Sequence, residues 1–153
     1  MNSRAWILSK LRFPLLSSLG GTGATSMGAG AVGTVSQASG IPTGAIIERG
    51  VNAYGEYVKY ADGTLICTSG NSPQATGVIA ANNVGTALTI TMPASFVNTS
   101  YVALASAGPN SSNDHYGITN NTPTAVNTVS VVIRNGATAQ TFLIKFIAIG
   151  RWY

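Results

Sequence analysis

The stretch from Gly44 to Ser69, GAIIERGVNAYGEYVKYADGTLICTS, constrains the fold most, because it hinges two strand-forming segments on an Asp62-Gly63 pair. Both central positions of a type I′ turn need positive φ, which Gly adopts without steric cost and Asp tolerates. Glu56 to Ala61 and Thr64 to Thr68 are therefore expected to pair as an antiparallel hairpin. Tyr57, Val58, Tyr60, Leu65 and Ile66 are β-branched or bulky residues suited to a pleated, half-buried surface. A helix would instead have to hold Gly55 and Gly63 at its ends.

The same residues carry a resemblance. Ile46-Ile47-Glu48-Arg49-Gly50, Asn52, Gly55, Tyr57-Val58-Lys59-Tyr60-Ala61-Asp62-Gly63-Thr64, Ile66-Cys67 and the closing Phe146-Ile147-Ala148-Ile149-Gly150-Arg151-Trp152 resemble the C-terminal domain of bacteriophage tail fibres and tail-tip proteins. The resemblance implies an all-β fold, a small antiparallel β-sandwich similar to the H-type lectins. It also implies a homotrimer at the host-facing tail of a virion, and a single cysteine is compatible with assembly in the reducing host cytoplasm. It spans residues 41–153 and is dense at the two ends, while the middle, where receptor contact is expected, carries no family signature.

At 153 residues the chain has the length of one domain with an appended arm. Hydrophobic residues make up 45% and charged ones only 8%, against roughly 25% charged in an ordinary soluble domain. Such a deficit suggests that other copies or a larger assembly cover much of the surface. The formal charge of +4 does not indicate nucleic-acid binding. Arg4, Lys10 and Arg12 lie in the first segment, with no acid before Glu48, and residues 41–153 carry no basic cluster interleaved with aromatics. The single Cys67 excludes an intrachain disulfide and a multi-cysteine metal site, and falls in a strand where a small buried hydrophobe fits.

Residues 1–19 are apolar, but Lys10, Arg12 and Pro14 interrupt them too soon for a secretory signal or a membrane span, so no membrane insertion is expected. Two readings remain, an amphipathic helix on a membrane surface and a segment docking on a partner protein. Docking is preferred, because in a tail-fibre-like protein the N-terminus attaches to the particle. Trp6, Ile7, Leu8, Leu11 and Phe13 are then the attachment residues, with tail or baseplate proteins as partners. Gly20 to Gly40 is glycine-rich and uncharged, a flexible linker in isolation or an ordered one where three copies run side by side. Residues 1–40 are thus read as an extended Gly-rich arm and linker, and the folded domain as 41–153, opening at Ile41-Pro42.

Along that domain, Gly70 to Val84 is expected as a long polar loop. Gly85 to Met92 alternates as a half-buried strand, with Leu88, Ile90 and Met92 inward. Ser100 to Ala107, apolar on both faces, is expected as a central strand. Gly108 to His115 is a loop, Tyr116 to Thr119 a short strand, and Asn120 to Asn127 another loop. Thr128 to Arg134 buries Val129, Val131 and Ile133, and Asn135-Gly136 signals a second hairpin into Ala139 to Ile149. That last strand places Phe142, Ile144, Phe146 and Ala148 on one face and Leu143, Lys145, Ile147 and Ile149 on the other. A strand apolar on both faces needs covering on both, and an adjacent subunit is the simplest second cover. Glu56 is one candidate partner for Lys145.

Little of the chain carries reactive chemistry. A Ser-His-acid triad would have to use His115, and Asp114 beside it points to the opposite side of an extended chain. Glycoside hydrolysis would have to use Glu48 with Glu56, both in the scaffold segment. No phosphate-cradling loop or metal-ligand cluster is present. No cofactor or metal is expected, and the chain is read as non-enzymatic.

If the strands alternate in direction, loops 50–55, 70–84, 108–115 and 135–139 share one end. The arm, Asp62-Gly63 and the 120–127 loop share the other. The first set is distal to the attachment. Amide, carboxylate and aromatic groups suit sugars, since planar donors and acceptors fork onto adjacent hydroxyls and a ring stacks on the pyranose face. Asn and Asp are also ordinary loop residues. Asn113, Asp114, His115 and Tyr116, with Tyr54 as a further aromatic, are the candidate receptor and glycan residues, the ligand being a host surface polysaccharide or lipopolysaccharide. A structural virion protein without a receptor is the alternative, and a polysaccharide-degrading enzyme the third reading.

Overall fold

A computed structural model describes residues 31–109 and 117–153. The described chain forms β1 (Gln37–Ala38), β2 (Ile41–Pro42), β3 (Ile47–Asn52), β4 (Gly55–Tyr60), β5 (Thr64–Thr68), β6 (Gln74–Ala75), β7 (Leu88–Thr91), β8 (Val102–Pro109), β9 (Gly117–Ala125), β10 (Thr128–Arg134) and β11 (Phe142–Arg151). The fold is an antiparallel β-sandwich. Its larger sheet runs β3-β4-β5-β11, with β6 extending the β5 side of β11 and β8 pairing on the other side. The smaller sheet runs β7-β10-β9.

Period-two alternation builds the core. Phe142, Ile144, Phe146 and Ala148 project inward from β11 toward Val129, Val131 and Ile133 of β10, and Leu65, Cys67, Ile90 and Met92 complete the cluster. Each large side chain buried there contributes about 1.5–3 kcal/mol by transfer from water.

The two recognisable segments meet in space. β5 lies between β4 and β11, Val58 opposite Ile66 and Ile66 opposite Ile149. Gly150 admits the stacked Phe96–Tyr101 pair, whose ring centroids are 4.1 Å apart. A Cβ on Gly150 would lie 2.5 Å from Tyr101 Cβ. Trp152 donates from Nε1 to the Tyr60 carbonyl at 2.9 Å, and its backbone N–H reaches Gly63 O at 3.0 Å. The chain's end thereby clamps the first hairpin's turn.

That hairpin forms with the expected strands but another turn. Gly63 N–H bonds to Tyr60 O at 3.0 Å, and of the central residues only Gly63 has positive φ, 91°. This is the three-residue loop in which a left-handed glycine follows an ordinary turn. Asp62 Oδ1 accepts from Thr64 N–H at 2.8 Å, which fixes the turn without a positive φ at Asp62.

Four other expectations need correction. Asn135-Gly136 is not a hairpin turn, because β10 and β11 belong to different sheets and the segment crosses between them. Asn135 is buried, and its Nδ2 donates to Ile79 O at 2.7 Å and Thr138 O at 2.8 Å. Residues 70–84 are not a free loop. Gln74 and Ala75 pair with β11, Ile79 bridges Gln140, and Ile79 is buried. The 120–127 stretch is strand β9 up to Ala125. β8 is an edge strand rather than a central one, and Val102 and Leu104 are each 64% exposed.

Candidate functional site

The arm enters beside β3. Gly33 N–H bonds to Ile47 O at the start of β3, and the 32–45 segment folds back on itself through Ala45 N–H to Thr34 O, both 2.9 Å. β1 pairs with β2 in this segment, so part of the glycine-rich stretch is ordered by the domain itself. Glu48 holds the junction. Its Oε2 accepts from Val35 N–H and its Oε1 from Tyr57 Oη–H, each at 2.9 Å, and Lys59 Nζ lies 3.5 Å away. Partial burial alone would raise the Glu48 pKa. The Val35 and Tyr57 hydrogen bonds and the Lys59 charge outweigh it and hold the carboxyl below its ordinary value. The same hydrogen bond to Glu48, with burial, raises the Tyr57 phenol. Burial pushes the Cys67 thiol up to about 11.

Strand direction sorts the remaining connections. The Ala61–Gly63 turn and the Val126-Asn127 turn lie at the arm's end. β8 ends opposite Phe142 and β9 begins opposite Arg134, both at the far end. The far end also holds the 135–141 crossover and the 76–88 segment, around a cleft of about 250 Å³ lined by Thr76, Asn83, Thr86 and apolar neighbours. A buried polar network fixes this cleft. Gln140 Nε2 donates to Asn135 Oδ1 at 3.2 Å, Asn135 N–H to Asn83 O at 2.8 Å, and Asn82 N–H to Gly136 O at 2.6 Å.

Of the residues the sequence singled out, Tyr54 is described. It is half exposed in the β3–β4 turn, its N–H donating to Asn52 Oδ1 at 2.9 Å, while Asn52 Nδ2 anchors the turn to Pro93 O at 2.9 Å. This turn lies level with Ser69, whose N–H bonds to Phe146 O. It is three strands from β8 and stops four residues short of Phe142. At about 4.8 Å per strand and about 3.3 Å per residue, Tyr54 is on the order of 20 Å from Pro109. It therefore does not join the end where the 110–116 segment departs. Asn113, Asp114, His115 and Tyr116, and Trp6, Ile7, Leu8, Leu11 and Phe13, lie outside the described residues.

The carboxylates are also sorted. Glu48 pairs with Lys59 and points to the inner side of the sheet, as Tyr57 and Leu65 do, whereas Glu56 stands opposite Val51 and Thr68 on the outer side. A glycosidase pair needs both carboxyls around one bond. A sheet between them prevents that.

The 76–88 cleft was not singled out from the sequence. Its alanines, glycines and threonines carry no motif, and the buried amide that shapes it resembles a turn residue.

No known family matches the sequence, and no curated protein matches it. Among solved structures, the fold is similar to that of the P. aeruginosa R1 pyocin fibre, in a fragment of its C-terminal residues. The TM-score is 0.53 at 17% identity, covering 98% of this chain and 37% of that one. The chain thus has a tail-fibre-like fold and spans little over a third of that fragment's length.

Proposed function

We propose that the chain is a tail-fibre or tail-tip component of a phage virion, a homotrimer held by its N-terminal arm and contacting a host surface polysaccharide or lipopolysaccharide with its far end. The observation that carries this reading is polarity. Arm, Glu48 junction, hairpin turn and C-terminal clamp share one end, and the cleft, the crossover and the departure points of the 110–116 segment share the other. The tail-fibre resemblance of the hairpin and C-terminal segments, and the likeness to the pyocin fibre, support the same role. Asn113, Asp114, His115 and Tyr116 are the proposed glycan contacts. The separation of Glu48 from Glu56 favours a binding protein over a glycosidase.

A purely structural virion role is the second reading. It is favoured by the described cleft, which holds threonines and one asparagine but no charged or aromatic group. Particles lacking the protein separate the two: loss of adsorption to host cells is expected, and normal adsorption would remove the receptor role. A glycan array with the full chain tests binding directly, and Asp114→Ala with His115→Ala is expected to abolish the signal.

A further inference from the structure

The outer face of the large sheet has two unlike halves. Across β3, β4 and β5 it is hollowed into a cavity of about 460 Å³, lined chiefly by Arg49, Val51, Glu56, Val58 and Ile66. Across β11 and β8 it carries outstanding aliphatic side chains. Val102 lies opposite Ile149 and Leu104 opposite Ile147, all of them exposed, with Lys145 next along β11. Exposed apolar area of this extent costs about 25 cal/mol per Å² until it is covered, and contiguous patches mark interaction sites. Among the described residues, nothing in the chain covers either half.

The edge of β8 is less open than its face. Asn121 Nδ2 reaches over from β9 to Ala103 O at 2.7 Å. A partner therefore comes onto the sheet rather than adding a strand beside it.

We infer that the partner is a second copy of this chain, the β8–β11 ridge of one copy seated in the β3–β4–β5 hollow of the next. This rests on the trimeric reading above and names the surface that makes it. The ridge and the hollow also present groups of opposite charge. Lys145 on the ridge and Glu56 in the hollow each lack an ion pair among the described residues, where the one salt bridge is Lys59 with Glu48. Spacing agrees too. Lys145 stands opposite Ser106, two residues from Leu104, and Glu56 is two residues from Val58. With Lys145 against Glu56, Leu104 is carried toward Val58. Arg49, opposite Val58 on β3, also lines the hollow, one same-face residue pair along from Glu56. Such a contact joins two different patches, so each added copy leaves one ridge and one hollow open until a ring closes. A closed ring of three leaves none. It also accounts for a surface with so little charge.

The test uses the full chain. Light scattering gives the mass of the unaltered protein, and a short bis-maleimide is applied to Val58→Cys/Leu104→Cys and to each single variant. Cys67 is buried and stays silent. The double variant is expected to cross-link into a covalent trimer on a denaturing gel and the single variants to stay monomeric. Glu56→Lys is expected to weaken assembly at least about tenfold, and adding Lys145→Glu to restore it. Both charge positions are exposed, so folding is not at issue. An assembled protein whose double cysteine variant does not cross-link, whose single variants do, or whose charge reversal is not rescued overturns this surface and leaves the trimeric reading standing. A monomeric unaltered protein overturns both.

Discussion

The two faces of the large sheet both carry apolar side chains and are differently treated. Along β11, Phe142, Ile144, Phe146 and Ala148 are packed by the chain's own second sheet, while Leu143, Ile147 and Ile149, one residue out of phase, are exposed. Their acids differ in the same way. Glu48 on the inner side is satisfied by Val35, Tyr57 and Lys59, and Glu56 on the outer side has no ion pair among the described residues. The chain completes one face by itself and, among the described residues, leaves the other uncovered.

The widest contrast is expected in the core. Phe142→Ala removes a fully buried ring and should cost about 3–5 kcal/mol, whereas Leu104→Ala on the outer face should cost under about 1 kcal/mol in the isolated chain. Urea unfolding at low protein concentration measures both, and equal losses would erase the distinction between the faces. Asn135→Ala removes an amide that serves Ile79, Thr138 and Gln140 in the buried crossover, and should cost about 1–3 kcal/mol by deleting those buried hydrogen bonds.

Glu48→Ala should cost about 1–2 kcal/mol, against under about 0.5 kcal/mol for Glu56→Gln. The Glu48 pKa is lowered in the folded state, so its contribution is fully present above the unfolded value of 4.5 and is lost as pH falls through the folded one. Melting curves from neutral pH into that acid range should show a decline in the parent protein that flattens in Glu48→Gln. The smallest effect is chemical rather than energetic. With its thiol raised to about 11 by burial, Cys67 should resist maleimide at pH 8 in the folded protein, while Val97→Cys, at a half-exposed position outside both the ridge and the hollow, should label readily.

Much of the framework was readable locally. Strands β4, β5, β7, β10 and β11 announce themselves by alternation, because a side chain's face in a strand depends only on odd or even position. The Asp62-Gly63 pair marked a real turn, since a left-handed residue is a local demand that Gly63 meets. Asn135-Gly136 misled for the same reason. The dipeptide reports a local preference, whereas Asn135 serves Ile79, 56 residues away in the chain. β8 looked central because both its faces are apolar, but apolar faces do not reveal what covers them. At the candidate site, alternating strand direction accounts for the 135–141 crossover lying opposite the Gly63 turn. The distance between Tyr54 and the departure of the 110–116 segment does not follow in this way, because it depends on strand order and on how far each hairpin extends.

By itself, then, the sequence determined which residues face inward, where Gly63 turns the chain, and how few charges it carries. Those are properties of neighbours along the chain and of composition. Tertiary structure alone decided that β10 and β11 part into different sheets, that Glu48 and Glu56 stand on opposite sides of one of them, and that the hollow and the ridge share a face. Each of these depends on strand order and register, which arise from contacts between residues far apart in the chain.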